Sequence, residues 1–303
     1  NFSRERVMAD FAKMKAQMAE GKGFIAALDQ SGGSTPKALK LYGVTEDMYD
    51  GERAMFDEIH AMRTRIIKAP DFTSDKVIGA ILFERTMRGT IDGKPVSQVL
   101  WEDNGIVPFL KIDKGLEDEA NGVQLMKPIP GLEDLLKDAE GFGVFGTKER
   151  SVIHEANAEG IAAVVAQQFE VARTVLSCGL VPILEPEVNI KSSTKAEAEA
   201  MLKDEIARHL DTLEDGQDVM LKLSIPTEVG LYDRLAEHPR VIRVVALSGG
   251  YSTDEACEKL AKQPKMIASF SRALAEGLFK QQSDEEFNEA LGSNIEKIYQ
   301  ASI

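Results

Sequence analysis

The sequence has few cysteines and histidines and lacks long apolar runs. Two cysteines, Cys178 and Cys257, cannot form a disulfide framework and are typical of reduced thiols in a cytoplasmic protein. No stretch approaches 18 apolar residues, which excludes a membrane-spanning helix. The segment from Asn1 to Arg6 opens a charged amphipathic helix without the apolar core of a signal peptide. The four histidines show no ligand spacing, so no histidine-based metal site is expected: His60, His154, His209 and His238.

Basic residues are outnumbered in this chain. Lysine and arginine total 36 against 50 acidic residues, a net charge of −14. Such a surface repels nucleic acid and anionic membranes, so neither is an expected partner. A chain of 303 residues, 43% of them hydrophobic, can bury about three quarters of its unfolded surface. We expect a single catalytic domain over residues 1–303, and the sequence does not indicate its oligomeric state.

Short apolar runs alternate with longer helical stretches. Eight runs are interpreted as buried strands: Gly23–Asp29, Val77–Glu84, Ile106–Lys111, Gly143–Lys148, Leu180–Glu185, Val219–Ser224, Val241–Ser248 and Met266–Ser269. Helices are predicted between and after them: Glu46–Lys68, Val96–Asn104, Gly131–Asp138, Gly160–Cys178, Lys195–Leu213, Leu231–Glu237, Thr253–Lys262, Arg272–Gln281 and Asp284–Tyr299.

Eightfold strand–helix alternation predicts an α/β fold, a (β/α)₈ TIM barrel with parallel strands. An extra N-terminal helix is expected over the bottom or side of the barrel, and a C-terminal helix closes the chain. The alternative is an open, doubly wound sheet of two domains. It is disfavoured because neither GxGxxG nor GxxxxGK[ST] follows the first strand.

Polar side chains follow or end the predicted strands, where barrels of this type carry their function. Those expected on one rim are Asp29, Glu84, Lys111, Asp113, Lys148, Arg150, Glu185, Glu187, Lys222, Ser248 and Arg272. They collect three lysines and two arginines in a protein that is acidic overall. This concentration of cations indicates a pocket for an anionic substrate, although each charge alone is more typical of a solvated loop.

One lysine, Lys222, interrupts the apolar run Val219–Pro226. Alternation places it with Met220 and Ser224 on one strand face. Lysine is rarely buried without a partner or a function, although it can also extend its amine to solvent. An apolar strand and a nearby Lys148 would both disfavour the charged amine, which makes it a nucleophile toward carbonyls. With carboxylates as proton shuttles, this predicts Schiff-base carbon–carbon chemistry with neither metal nor cofactor.

Two clusters of serine and glycine are candidate phosphate sites. Ser248-Gly249-Gly250 offers unobstructed backbone N–H groups, and Arg272 adds a forked donor set near the last two strands. Ser31-Gly32-Gly33-Ser34 follows Asp29 and precedes a helix. Two clusters would suit a substrate with two phosphates, but ordinary turns between strands and helices also favour these residues.

Seven motifs occur in order between about residues 21 and 280: Gly21–Asp29, Ile81–Glu84, Lys111–Gly115, Val181–Glu187, Leu221–Leu223, Leu247–Gly250 and Ser269–Leu274. Together they resemble class I fructose-bisphosphate aldolase, in particular its shorter bacterial branch. The resemblance implies a lyase of glycolysis and gluconeogenesis on a TIM barrel. Such an enzyme reversibly cleaves fructose 1,6-bisphosphate to dihydroxyacetone phosphate and glyceraldehyde 3-phosphate.

The same resemblance implies the catalytic roles. Lys222 would form the Schiff base, and Glu185 would shuttle protons as the carbinolamine loses water. Glu187 would hold Lys148 by charge. Asp29 would act on the hydroxyl whose proton loss accompanies cleavage of the carbon–carbon bond.

The resemblance also implies the substrate-binding residues. Those for the phosphate on the ketone side are Ser248, Gly249 and Arg272, and Gly250 and Ser271 are further substrate-binding candidates. Those for the phosphate on the aldehyde side are Ser31, Ser34 and Lys111.

Three departures from the family pattern concern these assignments. Phe270-Ser271 stands where animal members have Tyr-Gly, which alters a backbone contact to phosphate. Lys37 is followed by Ala38 rather than by a basic residue, which weakens the second phosphate site. Longer members end in a tail whose tyrosine aids proton transfer, whereas Tyr299 here is expected to pack in a helix.

Two alternative functions are compatible with this sequence. One is another Schiff-base aldolase of sugar phosphates, such as one that cleaves tagatose bisphosphate, because the sequence does not report hydroxyl stereochemistry. The other is a non-catalytic sugar-phosphate sensor on the same barrel. The simultaneous presence of the lysine, both glutamates and the aspartate argues against a mere binder.

Overall fold

Eight parallel strands follow one another around a barrel in the computed structural model, which describes residues 2–303 and the side chains from residue 5 onward. They are β1 Phe24–Leu28, β2 Val77–Leu82, β3 Val107–Lys111, β4 Gly146–Ile153, β5 Val181–Val188, β6 Val219–Ser224, β7 Val241–Leu247 and β8 Ile267–Ala268. Each pairs with the next in chain order. The Ala27 amide donates to the Phe270 carbonyl (3.3 Å), so β1 meets the chain just beyond β8 and nearly closes the predicted barrel.

Both faces of the strands are apolar, which explains why they occur as continuous hydrophobic runs. One face fills the barrel interior with Ile25, Ile81, Phe109, Ile183, Met220 and Val245. The other packs under the surrounding helices with Ala26, Leu82, Leu110, Leu184, Leu221 and Val244. The sequence therefore located all eight strands.

Two strands are longer than predicted. β4 and β5 continue past Lys148 and Glu185 and stay paired from Gly146 with Val181 to Ile153 with Val188. The parallel ladder satisfies the backbone of this polar stretch, so a drop in hydrophobicity does not end either strand. Arg150 and Glu187, which the sequence placed after these strands, consequently lie inside them.

The helices lie around the barrel. Their bounds are Phe2–Glu20, Thr35–Leu41, Gly51–Lys68, Glu84–Met87, Val96–Gln98, Leu132–Gly141, Ala158–Ser177, Lys195–Leu210, Asp233–Ala236, Thr253–Ala261, Arg272–Ala275 and Asp284–Ser302. A 3₁₀ turn spans Glu46–Met48 and a π turn spans Val99–Asp103. Short strands Thr90–Ile91 and Lys94–Pro95 form a hairpin, and Val123–Gln124 pairs antiparallel with β4. Within the described residues, no helix is both long and apolar enough to cross a bilayer.

Two helix predictions were too long. The predicted helix Glu46–Lys68 is interrupted before Gly51, whose φ of 83° is incompatible with a continuous helix. The predicted helix Arg272–Gln281 ends at Ala275, because the backbone is extended at Glu276 and Gly277 has a φ of 74°. Glycine tolerates such values without a steric penalty.

The N-terminal helix closes the bottom of the barrel, as predicted, although Asn1 of its predicted start lies outside the described residues. Met14 and Met18 join the interior core, and the Phe11 ring lies 5.0 Å from the Phe145 ring. Lys15 pairs with Asp218 just before β6 (2.6 Å). With this end covered, the carboxyl ends of the strands form the open rim.

The C-terminal helix Asp284–Ser302 packs beside β8. Ser283 caps its start by accepting from the Glu286 amide (3.1 Å), and Ser302 accepts from the Ala268 amide (3.0 Å). Tyr299 is half-buried against the outer core, which confirms it as a packed helix residue.

Candidate active site

Lys222 lies inside the barrel, on the strand face that the alternation assigned to it together with Met220. Its neighbour two residues earlier, Met220, belongs to the interior core, and Lys222 itself is only 4% exposed. The amine nitrogen Nζ lies 3.7 Å from Oε2 of Glu185, on the neighbouring strand β5. The lysine therefore does not extend to solvent, and a carboxylate that can exchange protons with it stands beside it.

Lys148 connects two carboxylates deep in the same interior. Its Nζ lies 2.8 Å from Oδ2 of Asp29, just after β1, and 3.0 Å from Oε1 of Glu185. Only 3% of Lys148 is exposed. The side chains form a continuous buried chain of ion pairs across the barrel, from Asp29 through Lys148 and Glu185 to Lys222.

The charges in this chain reinforce each other. Burial alone would raise the pKa of Asp29, but Lys148, Lys222 and Lys111 outweigh it and lower the pKa to about 2. Burial opposes the charge of Lys148, whereas Asp29 and Glu185 together raise the pKa of Lys148 above its ordinary value. At neutral pH Asp29 is therefore an anion and Lys148 a cation.

The predicted pairing of Glu187 with Lys148 is wrong. Glu187 Oε2 instead accepts from Nε of Arg150 (2.7 Å). In the ladder, Lys148 is opposite Ile183 and Arg150 is opposite Glu185. The side chains of Lys148 and Arg150 extend toward the rim, so each contacts the carboxylate two residues beyond its ladder partner on β5. This offset pairs Lys148 with Glu185 and Arg150 with Glu187.

Asp113, which the sequence placed on the rim without a specific role, organises the end of β3. Its Oδ1 accepts from Lys111 Nζ (2.9 Å) and from the Gly115 amide (3.3 Å), and its Oδ2 accepts from the Arg150 amide (3.1 Å). Lys111 is thus held at the rim by a buried carboxylate. The sequence feature that points to this contact is the two-residue spacing of Lys111 and Asp113 after Phe109, which directs all three side chains to the same side.

The cluster Ser248-Gly249-Gly250 lies close to β5. A side chain at Gly249 would meet Ile190 at 3.0 Å and Glu187 Oε1 at 3.8 Å, and its φ of 63° also favours glycine. Gly250 has a φ of 107°, and Ser248 is half-buried. These residues therefore bring backbone close to Glu187, the partner of Arg150.

The other candidate phosphate residues surround the β1–β8 junction. Gln30, next to Asp29, donates from Nε2 to the Ser271 hydroxyl, and Arg272 is exposed at the following helix start. Ser34 donates to the Ser31 carbonyl (3.2 Å), a contact that orders the turn itself. The structure thus places Ser271 near Asp29, while Ser31 and Ser34 lie on the adjacent loop.

Glu149 lies between Lys148 and Arg150 but on the opposite face of β4, which packs against helix Ala158–Ser177. Gln168 of that helix donates to the Glu149 carbonyl (3.1 Å). Glu149 is 0% exposed, and among the described residues neither carboxylate oxygen has a hydrogen-bond partner. Burial, with a smaller contribution from Asp113, raises the pKa of Glu149 well above its ordinary value.

Replacing Glu149 with glutamine is expected to stabilise the protein at neutral pH. When folding raises the pKa of a carboxyl group, the folded protein becomes less stable as pH rises from the unfolded pKa of that group, about 4.3, toward its folded pKa. The gain in free energy of unfolding should be largest at pH 8 and vanish near pH 4. Urea unfolding at both pH values measures it. The exposed Glu155→Gln is the matched control, and an equal gain at both pH values would contradict the interpretation.

Across the side chains that the structure describes, no three His, Cys, Asp or Glu groups converge to hold a metal ion.

Comparison with known proteins gives three kinds of similarity. Residues 10–225 match the family model described as glycolytic fructose-bisphosphate aldolase class-I. Fructose-bisphosphate aldolase class 1 of Porphyromonas gingivalis is 58% identical over 287 residues, 95% of this chain and 97% of that protein. The 287 aligned residues extend this similarity beyond residues 10–225, the region that the family model covers.

Two solved structures support the fold alone, because their sequence identities are low. Fructose-bisphosphate aldolase from Plasmodium falciparum, in a ternary complex with TRAP and a small molecule inhibitor, gives a TM-score of 0.76 at 22% identity. The alignment covers 98% of this chain and 94% of that one. Cgl0159 from Corynebacterium glutamicum gives a TM-score of 0.54 at 14% identity, over 98% and 95% of the two chains.

Proposed function

The chain belongs to the class I fructose-bisphosphate aldolase family, and from this premise we propose which of its side chains perform the reaction. It is a metal-independent lyase acting on a sugar bisphosphate, fructose 1,6-bisphosphate, and the Schiff-base mechanism is general to the class. The observation that carries the residue assignment is the buried chain Asp29–Lys148–Glu185–Lys222.

Lys222 is the proposed nucleophile. Lys222 passes one ammonium proton to Glu185. Its Nζ then forms a bond to the ketone carbon while a second proton moves from this nitrogen to the carbonyl oxygen, which becomes a hydroxyl. Glu185, 3.7 Å from that nitrogen, then gives a proton to the departing hydroxyl, which leaves as water and yields the iminium. Product release requires the enamine left by carbon–carbon cleavage to take a proton on carbon, after which water adds to the re-formed iminium and the proton transfers above run in reverse. The low exposure of both side chains supports this role, because it excludes competing water from the iminium.

Asp29 is the proposed acceptor of the hydroxyl proton during carbon–carbon cleavage. The electron pair of the broken bond moves into the iminium and leaves an enamine. The lowered pKa keeps Asp29 ionised at neutral pH, so its carboxylate is available as the proton acceptor. Lys148 pairs by charge with both Asp29 and Glu185, and we assign to its ammonium the further role of donating to a substrate oxygen.

We assign the phosphates to the rim residues. Those proposed for the ketone side are Ser248, Gly249, Gly250, Ser271 and Arg272. Those proposed for the aldehyde side are Ser31, Ser34 and Lys111. The support is their position at strand ends or adjoining loops, and the fixing of Lys111 by Asp113. Glu187 is proposed to hold Arg150 at this rim rather than to act on Lys148.

Borohydride reduction in the presence of dihydroxyacetone phosphate tests the nucleophile. We expect one reduced adduct per chain, located on Lys222 by peptide mapping, because this amine alone is proposed to attack the ketone. Lys148 and Lys111 are internal controls within the same pocket. An adduct on either of them would reassign the nucleophile.

We also propose that residues 1–303 act as one catalytic domain in the cytoplasm. The outer core cluster contains residues from Phe24 to Ala301, which supports a single unit. The free state of Cys178 and Cys257 and the glycolytic character of the family support the location.

A further inference from the structure

A buried arginine, Arg63, lies beneath the rim and has no part in the steps above. It belongs to helix Gly51–Lys68 and is 1% exposed. One guanidinium nitrogen donates to the Gln30 carbonyl (2.6 Å) and faces Gln30 Oε1 (3.4 Å). The other terminal nitrogen donates to the Thr86 hydroxyl (2.7 Å). The acceptors within hydrogen-bond distance are therefore neutral.

Arg63 nevertheless remains charged. Burial lowers its pKa to about 10, partly opposed by the nearby Asp29 carboxylate, and this value still leaves the guanidinium protonated at neutral pH. A buried cation that meets only neutral acceptors is expensive in free energy. Its charge is therefore available to polarise the groups that it contacts, first of all Gln30.

The contact with Arg63 determines how the Gln30 amide is oriented. A guanidinium has donors and no acceptor, so the amide atom that faces it must be the oxygen. The amide nitrogen Nε2 then points away from Arg63 and donates to the Ser271 hydroxyl oxygen. Reversing the amide would place N–H groups against the guanidinium and remove the donor to Ser271.

The Ser271 hydroxyl is left with a hydrogen to donate. A serine hydroxyl has one hydrogen and two lone pairs, and Gln30 occupies a lone pair. Ser271 precedes helix Arg272–Ala275, yet its side chain makes no cap there. Within residues 2–303 the structure shows no acceptor for this hydrogen. Ser271 is half-buried and Arg272 exposed, so the donor lies beside an accessible cation.

We propose that Arg63 and Gln30 are positioning residues that orient the Ser271 hydroxyl as a donor to a substrate phosphate. The inference rests on the proposed assignment of Ser271 and Arg272 to the phosphate on the ketone side. Arg63 polarises the Gln30 amide, which strengthens the hydrogen bond to Ser271 and in turn the one from Ser271 to phosphate.

A purely structural role would use the same contacts, because they join the ends of β1, β2 and β8 near the Ala27–Phe270 hydrogen bond. Gln30→Met separates the two roles. It preserves side-chain length and the Gln30 carbonyl, so Arg63 keeps its contacts to that carbonyl and to Thr86. It removes the donor to Ser271.

The experiment compares Gln30→Met, Ser271→Ala and the double variant. We expect each single change to raise KM for fructose 1,6-bisphosphate and Ki for inorganic phosphate about tenfold, as for one lost hydrogen bond to a charged group. The kcat should stay within about threefold, and the double variant should match the single ones. Unchanged KM and Ki in the single variants would overturn the proposal. So would an increase of about 100-fold in the double variant, because it would show that the two residues act independently.

Two further variants complete the design. Arg63→Lys keeps the charge but replaces the fork by one ammonium, and it should raise KM and Ki about tenfold if it folds. If it does not fold, the comparison of Gln30→Met with Ser271→Ala still decides. Gln300→Met, on the exposed side of the C-terminal helix, is the control and should leave KM unchanged.

Borohydride trapping separates this proposal from the assignment of the nucleophile. Gln30→Met should retain full adduct formation at Lys222 with saturating dihydroxyacetone phosphate. A wild-type adduct elsewhere would refute the nucleophile and leave the KM comparison valid. A normal adduct with unchanged KM and Ki would refute the positioning role alone.

Discussion

Replacing Lys222 with methionine should lower kcat by about 10⁴-fold or more, because covalent catalysis loses its only proposed nucleophile. The fold should survive. Met220 already packs in the interior core, and Glu185 keeps its ion pair with Lys148 at 3.0 Å. We expect the free energy of unfolding to change by about 1 kcal/mol or less.

Lys222→Arg makes this prediction sharper. Arginine keeps the positive charge near Glu185 but stays protonated and cannot form an imine. If Lys222 acted only through its charge, Lys222→Arg would retain much of the activity that Lys222→Met loses. Turnover, borohydride trapping and urea unfolding of both variants measure the outcome, with the exposed Lys191→Met as control. Equal inactivity of both folded variants is the expected result.

Replacing Lys148 with methionine should damage both catalysis and stability. It leaves Asp29 and Glu185 buried without the cation that lies within 3.0 Å of each. Removing one partner of a buried ion pair costs about 3–5 kcal/mol in free energy of unfolding. We expect kcat to fall about 10²–10³-fold, as for the loss of one preorganised electrostatic contact.

The stability loss of Lys148→Met should depend on pH. In the wild type, the pKa of Asp29 is about 2 when folded and about 3.9 when unfolded. This depressed pKa contributes on the order of 2–3 kcal/mol, present above about pH 4 and lost as pH falls toward 2. Without Lys148, burial should raise the pKa of Asp29. The variant therefore lacks this contribution at neutral pH and has none to lose in acid.

The gap between wild type and Lys148→Met should therefore be largest at pH 7 and shrink between pH 4 and 2. Urea unfolding at pH 7, 4 and 3 measures the gap. Lys114→Met, which removes only an exposed ion pair with Glu84, should change stability by less than about 1 kcal/mol at each pH. A gap that is constant with pH would contradict the assigned role of the Lys148–Asp29 pair.

Comparison of the predicted and observed strands shows where sequence patterns suffice. Burial on both faces makes a strand a continuous apolar run, so all eight strands could be located. Alternation then grouped Lys222 with Met220 on one face, and the structure shows that this face is the barrel interior. The patterns failed at strand ends and breaks: β4 and β5 continued through polar residues, and positive φ values at Gly51 and Gly277 interrupted or ended predicted helices.

The sequence alone determined the strands, the rim to which the polar residues belong and the face of Lys222, because burial and two-residue alternation are local properties. Only the tertiary structure decided that Lys148 pairs with Asp29 and Glu185 rather than with Glu187, and that Arg63 reaches Ser271 through Gln30. These contacts join residues far apart in the chain. They depend on the stagger of the strands and the closure of the barrel, which set the partners that each long side chain can reach.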